Sequence, residues 1–552
     1  MAIEPALVEE GQVEPPVAGT QAAADVAQGG LVTAAAIIGV GNVASRVFGL
    51  VRETVIASLF GATGYVSVFR VAATIIQTLY DFLVGGMVSA ALVPLFSDLA
   101  DRADRDELWQ VASIVINVIA VGLAATVLLL ELFAPQLVWI LGAGYDPSLQ
   151  SAAVQMIRLI LPAVFFLGMS GIITGLLYAL KRFTFPAFTT AAYNVGIVVV
   201  ALALTPVLGI TSLIVGILVG SALQVLLQVP GLRDMRYHFK VDLAHPALRR
   251  IVKLYVPVVG GLGIGVVGVA IDRNLASFTG PQSLAWMTDA TVLIQFPLGL
   301  VGTAIAFAIL PQLSRQTQAA HERKEDGGAG LSDTVAPSAE FQRTLVFGLR
   351  LVLFLILPAA VGLFVLAHPI VALLFEHGAF TANDTYWTAM ALRFYLIGLP
   401  FAAVDQPLVF AFYARKNTVT PNLVAFAGVA IYLVVALALV HSHGMIGLVL
   451  ANSAQLTGHA LIMLWLTQTR LADLNPKVIL SAVGKMLAAS ALMGLVAAGI
   501  LGLSDQMTVS TWARVLVPGL AGLLTYALLA WALRLEEGGR VLQIAMSRWR
   551  VA

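Results

Sequence analysis

The sequence predicts an all-α polytopic membrane protein of fourteen transmembrane helices: two six-helix lobes in a parallel internal repeat, plus two C-terminal helices. Three observations predict it. The 552 residues are 59% hydrophobic and only 11% charged, where a soluble domain carries about 25% charged residues. Lys and Arg near the apolar segments fall only in every second loop. Three stretches of the first half return, in order, in the second.

Residues 1–30 are acidic, rich in Ala, Gly and Pro, and free of Lys and Arg. They lack the basic start and apolar core of a secretory signal, so a disordered cytoplasmic tail is expected. Span 1 (31–59) is apolar apart from Arg46, Arg52 and Glu53. Span 2 (65–98) stops before Arg102 and Arg105, and span 3 (107–133) follows. Span 4 (149–180) ends at Lys181 and Arg182, and a short turn separates span 5 (184–206) from span 6 (211–231). A loop with six basic residues between Arg233 and Lys253 leads into span 7 (250–279). Span 8 (282–312) ends near Arg315, span 9 is 344–368, and span 10 (385–414) meets Arg415 and Lys416. Spans 11 (419–440) and 12 (445–467) precede Arg470 and Lys477, and spans 13 (478–502) and 14 (511–534) close the series. Each segment can cross a hydrocarbon core of about 30 Å, which takes about 20 residues.

Twenty-two of the 31 basic residues lie after even-numbered spans or in the C-terminal tail, and the loops after odd-numbered spans hold none. Basic residues stay on the cytoplasmic side. Both termini are therefore expected inside. The outer loops are too short to hold a catalytic domain. The net charge of +1 gives no reason to expect nucleic acid, and the absence of cysteine excludes disulfides and thiolate chemistry.

The repeat pairs GLVRETVIASLFG (49–61) with GVAIDRNLASFTG (268–280), LVGGMVSAALVPLFS (83–97) with LVGTAIAFAILPQLS (300–314), and YALKRFTFP (178–186) with YARKNTVTP (413–421). An even number of spans per copy gives both copies one orientation, as in transporters whose halves are related by an axis along the membrane normal and rock against each other. The expected domains are an N-lobe (31–232), a C-lobe (233–470), a helix pair (471–534) and a cytoplasmic amphipathic tail (535–552).

SRVFGLVRETVIASLFG (45–61), SAALVPLFSDL (89–99), LASFTGPQSLAWMTDATVLIQFPLGLVGTAIAFAILPQLSR (275–315), LLFEHGAFTANDT (373–385) and FYARKNTVTP (412–421) together resemble the MurJ/MviN lipid II flippases of the MOP exporter superfamily. The resemblance implies a central V-shaped cavity, basic inside, and a lipid-tail groove on the last two helices. It also implies a cargo, the undecaprenyl-pyrophosphate-linked peptidoglycan precursor of cell-wall biogenesis, moved from the inner to the outer leaflet. No cofactor or metal is expected. The resemblance implies coupling to the membrane potential or a cation gradient, and the chain has no P-loop pattern. A monomer in contact with membrane lipids and the cell-wall synthesis machinery is expected. An exporter of another polyprenyl-linked glycan and a non-transporting scaffold are the alternatives.

Charged residues inside a membrane are costly and mark function by default. Arg46 and Arg52 match the family's two first-helix arginines; they bind the cargo pyrophosphate or hold an inter-helix ion pair. Arg273 is a third cavity cation or the partner of Asp289. Glu53, Asp81, Asp272, Asp289 and Asp405 are gating or ion-pair candidates, with Arg393 a partner for Asp405. Glu53 recurs as Asp272 in the repeat, whereas Arg52 faces Ile271. Family charges are replaced at Tyr80, Gly85, Thr291 and Val292. Arg70 partly compensates in span 2 or snorkels to the interface. EHGAFT (376–381) is expected to cap the next helix and close the outer gate.

Overall fold

The structure is a computed structural model that describes residues 18–100, 102, 105–326, 339–471, 474–505, 507 and 509–539. Among the described residues there is no strand. Helix α1 is Ala18–Phe60, and α2 is Gly64–Ala100, α3 Arg105–Leu132, α4 Pro147–Ala179, α5 Thr189–Leu208 and α6 Thr211–Leu232. Helix α7 is Pro246–Ser277, and α8 runs from Ser283–Pro297 through Leu298–Thr303 into Ala304–Asp326. Then come α9 (Ala339–Val365), α10 (Ala382–Ala414), α11 (Val419–His443), α12 (Met445–Leu471), α13 (Pro476–Asp505) and α14 (Thr511–Ala532).

Every predicted span coincides with one of these helices. Twelve are long and apolar enough to cross a bilayer alone. A thirteenth, α7, qualifies once its halves Pro246–Gly260 and Gly265–Ser277, bent by 46°, are joined. The bend falls in the glycine-rich stretch 260–265, just after Pro257, and glycine and proline are usual causes of a kink. Within 36–60 of α1, every 18-residue stretch contains Arg46, Arg52 and Glu53. Of the expected disordered tail, 1–17 and of the amphipathic tail, 540–552 lie outside the described residues, and 18–30 form the first turns of α1.

Helices α1–α6 pack chiefly on one another, as do α8–α12, while α13 lies against α9 and α14. Helix α7 straddles the two lobes. Its first half leans on α2, with Tyr255 Oη donating to the Phe82 carbonyl at 2.9 Å and Arg250 pairing with Asp98 at 2.6 Å. Its second half packs on α11, where Tyr432 Oη donates to Asp272 at 2.6 Å.

The structure adds repeat features that apolar patterning does not reveal. A short helix follows α3 (Ala134–Gly142) and another follows α9 (Ala367–Phe375). Each leads into a capped helix start. Asp146 accepts from the Leu149 N–H at 3.0 Å, and Thr381 forms a capping box with Asp384, which meets the capping half of the expectation for EHGAFT. Ser148 donates to the Asp146 carboxylate at 2.5 Å, and this bond, with the backbone cap, holds that carboxyl below the usual range. Both α2 and α8 switch to a π-helical run, at Asp81–Leu92 and Leu298–Thr303. The two runs begin at matching positions of the repeat.

At the end carrying the loops after odd-numbered helices, a seam of hydrogen bonds joins the lobes. Ala379 N–H donates to the Ser58 carbonyl at 2.8 Å, and Gly144 N–H donates to Ser277 Oγ at 2.8 Å. Ser58 and Ser277 are repeat equivalents, so the seam follows the pseudo-two-fold axis. Asn274 adds bonds to the Trp139 and Ile140 carbonyls at 3.2 and 2.9 Å. Closer to the midplane, Ala285 N–H donates to Ser67 Oγ at 3.2 Å. Gly378 sits in the seam at φ +60°, and a Cβ there would run into the Ser58 carbonyl. Left-handed backbone costs a non-glycine residue about 1–2 kcal/mol. We therefore expect Gly378→Ala to lower stability by at least about that much, read as a lower thermal midpoint in detergent; an unchanged midpoint would show that the seam tolerates a side chain.

Candidate functional site

Between the lobes lies a cavity of about 620 Å³. Helix α1 contributes Arg52 and Glu53, α2 contributes Arg70, Tyr80 and Asp81, and α5 contributes Thr190 and Asn194. From the other lobe come Arg273 on α7 and Thr288, Thr291, Val292 and Gln295 on α8. Among the described residues, three arginines and two acids line it, so the wall is mixed rather than simply basic.

A chain of ion pairs runs along the wall and crosses between the lobes. Glu53 is 1% exposed. It takes charge-assisted bonds from Arg52 through one oxygen and from Arg70 through the other. Arg70, 8% exposed, continues to Asp289 on α8 at 3.3 Å, and Asp289 is 2% exposed. Arg70 therefore does not snorkel: it is the centre of the network and bonds the two lobes. The register explains it. Residues 53 and 70 sit on either side of the tight turn 61–63, at similar depth from the odd-loop end, and α8 re-enters from that same end.

Arg52 also donates to Asn194 Oδ1 at 2.9 Å. Asn194 in turn donates to the Ser45 carbonyl at 3.2 Å, which fixes its amide. A guanidinium has five N–H donors. Three of those on Arg52 are used on Glu53 and Asn194, which leaves two for a ligand. Its side chain keeps 27% of its surface exposed, whereas the Nε atoms of Arg70 and Arg273 are buried without a hydrogen-bond partner.

Arg273 lines the cavity but pairs with its neighbour Asp272 at 3.3 Å, not with Asp289. Adjacent helical residues point about 100° apart, yet the long Arg273 side chain curls back to the short Asp272 carboxylate. Asp81 is held by Gln77 at 2.9 Å. Arg46 stays outside the lining; it donates to the Gln295 carbonyl of α8 at 3.1 Å and so ties α1 to the opposite lobe beside the cavity. Asp405 pairs with His459 at 2.8 Å within the second lobe. The pairing expected with Arg393 does not form, because Arg393 turns to the Phe364 carbonyl and ring.

Thus Arg52, Glu53, Asp81 and Arg273 converge on the cavity, Asp272 and Asp289 stand behind its arginines, and Arg46 and Asp405 lie apart. Sequence reasoning passed over Asn194, an amide in the second turn of α5 on the threshold of a long apolar run. Chemically, the site offers guanidinium donors to an anion inside an apolar bundle, with resident carboxylates that an arriving anion must displace.

The family model described as "Lipid II flippase MurJ" matches residues 56–517. The chain is 31% identical over 391 residues to the "Lipid II flippase MurJ" of Burkholderia cenocepacia, covering 69% of this chain and 73% of that one. It is 27% identical over 463 residues to the "Probable lipid II flippase MurJ" of Bdellovibrio bacteriovorus, covering 82% and 84%. Its fold is similar to a solved "Lipid II flippase MurJ, inward closed conformation", with a TM-score of 0.74 and 24% identity over 89% of this chain and 97% of that one. A multidrug resistance MATE family transporter of the MOP superfamily, in an inward-facing conformation, gives a TM-score of 0.62 at 14% identity over 78% and 96%.

Proposed function

The chain belongs to the MurJ family of lipid II flippases, and from that premise we propose that it carries a polyprenyl-diphosphate-linked peptidoglycan precursor from the inner to the outer leaflet by alternating access. The observation that carries this reading is the inter-lobe cavity walled by Arg52, Arg70 and Arg273. A diphosphate is doubly anionic and cannot cross hydrocarbon unaided, and guanidinium forks suit phosphate oxygens in geometry and charge. The basic loops after even-numbered helices put that end in the cytoplasm, so the odd-loop seam is the outer gate, closed in this state.

The resident pairs supply a sequence of events. A diphosphate entering the cavity meets the two spare donors of Arg52 first. As it draws Arg70 away from Asp289, it removes the charged bond that holds α2 to α8, and the lobes become free to rock. Arg46, bonded to α8 backbone, is a second tie along the same interface. Coupling to the membrane potential or a cation gradient, in place of ATP, fits a cycle in which buried charges exchange partners.

The test is complementation. In a bacterium depleted of its own flippase, this chain is expected to restore growth and the arrival of precursor at the outer leaflet. Correct membrane insertion with no rescue would overturn the reading in favour of another cargo or a scaffold role.

A further inference from the structure

A second cavity, about 330 Å³, opens inside the first lobe among α1, α2, α4 and α5. It adjoins the charged cavity, since Tyr80 and Thr190 line both. Its chemistry is different. Among the described residues, no Asp, Glu, Lys, Arg or His lines it. Asn42 and Ser89 stand exposed on its wall, Thr190 is exposed at the shared edge, and Tyr80 and Tyr178 also line it. At Gly85 the wall is bare, and a Cβ built there meets nothing within 4 Å.

We propose that this side pocket binds the uncharged, polyhydroxylated part of the cargo headgroup, a sugar ring, while the charged cavity holds the diphosphate. This rests on the flippase reading above and assigns part of its cargo to a place. Hydroxyl and amide side chains both donate and accept hydrogen bonds, which matches sugar hydroxyls that do the same and carry no charge. The tyrosines add aromatic rings that suit a sugar's C–H surface, and the Tyr80 hydroxyl is bonded to Thr190 at the shared edge. The volume lies at the low end of the about 300–1,000 Å³ typical of small-molecule sites, enough for a ring and too small for the whole headgroup. Separating the two chemistries also explains why every ionised group of the wall lies on one side of Tyr80.

The experiment is native mass spectrometry of the full chain in detergent. It is offered equal amounts of undecaprenyl diphosphate and of undecaprenyl diphosphate carrying a disaccharide-peptide. The wild type is expected to prefer the saccharide-bearing lipid. Gly85→Leu, which fills the pocket, and Asn42→Leu, which removes a polar group, should each cut that preference about tenfold, the scale of one or two lost neutral hydrogen bonds. Binding of the bare diphosphate lipid should stay within about twofold, which also certifies that the variants fold. Unchanged preference in both variants overturns the proposal, as does an equal loss of both lipids. A wild type that binds neither lipid overturns the flippase reading itself, and this assignment with it.

Discussion

Glu53→Ala is expected to destabilise the protein by about 3–5 kcal/mol, the range for removing one member of a buried ion pair. Glu53 is shielded from solvent and serves two arginines at once. Arg52 would keep Asn194 and the cavity's solvent. Arg70 would keep only Asp289 at 3.3 Å and would otherwise be a buried cation facing apolar helices. The loss should appear as a marked drop in the thermal midpoint of the detergent-solubilised protein. Glu53→Gln should fall between, because the amide oxygen still accepts a hydrogen bond but carries no charge. The double variant Glu53→Ala with Arg70→Leu should recover part of the loss, since it no longer strands the arginine; coupled neighbours are non-additive in this way. If Glu53→Ala melts with the wild type, the ion chain is not what holds α1, α2 and α8 together.

Arg52→Ala is expected to abolish rescue of flippase-depleted cells while the protein still inserts and folds. Its two spare donors face the cavity, and hydrogen bonds to charged groups are worth about 1.5–3 kcal/mol each, so losing both removes most of the hold on a diphosphate. Structural damage should be modest because Glu53 retains Arg70. Arg52→Lys should restore transport only in part, since an ammonium supplies a point charge and cannot serve Glu53, Asn194 and a phosphate in one plane. Full rescue by Arg52→Ala, at wild-type amounts in the membrane, would remove Arg52 from cargo binding. The two variants separate stability from transport: Glu53 is expected to act first on folding, Arg52 on the cargo.

Much of the site's membership was legible in the residues. Arg52, Glu53 and Arg273 stood out because a charge in an apolar segment has no cheap explanation, and each lines the cavity. Their partners were not legible. Asp289 was weighed against Arg273 because both are charged and near in sequence, yet it pairs with Arg70, 219 positions away. Asp405 was weighed against Arg393 on its own helix, yet His459 of α12 reaches it. The neutral side pocket left no trace in charge or hydropathy, because its wall is built from single hydroxyls spread over four helices.

What the chain determined by itself is the set of spans and their order. In lipid every backbone N–H and C=O must be bonded within its own helix, so each apolar run of sufficient length becomes a helix whatever surrounds it, and short loops force neighbours to run antiparallel. The repeat was likewise open to inspection, because equivalent helices need equivalent small and polar residues. Which charge meets which was decided only by tertiary structure. A pairing across helices depends on the rotation of each helix about its axis, on its depth and on where a glycine bend or a π-helical run shifts the register. Those quantities come from packing two lobes against each other, and a few degrees at α2 or α8 decides whether Arg70 faces lipid, water or Asp289.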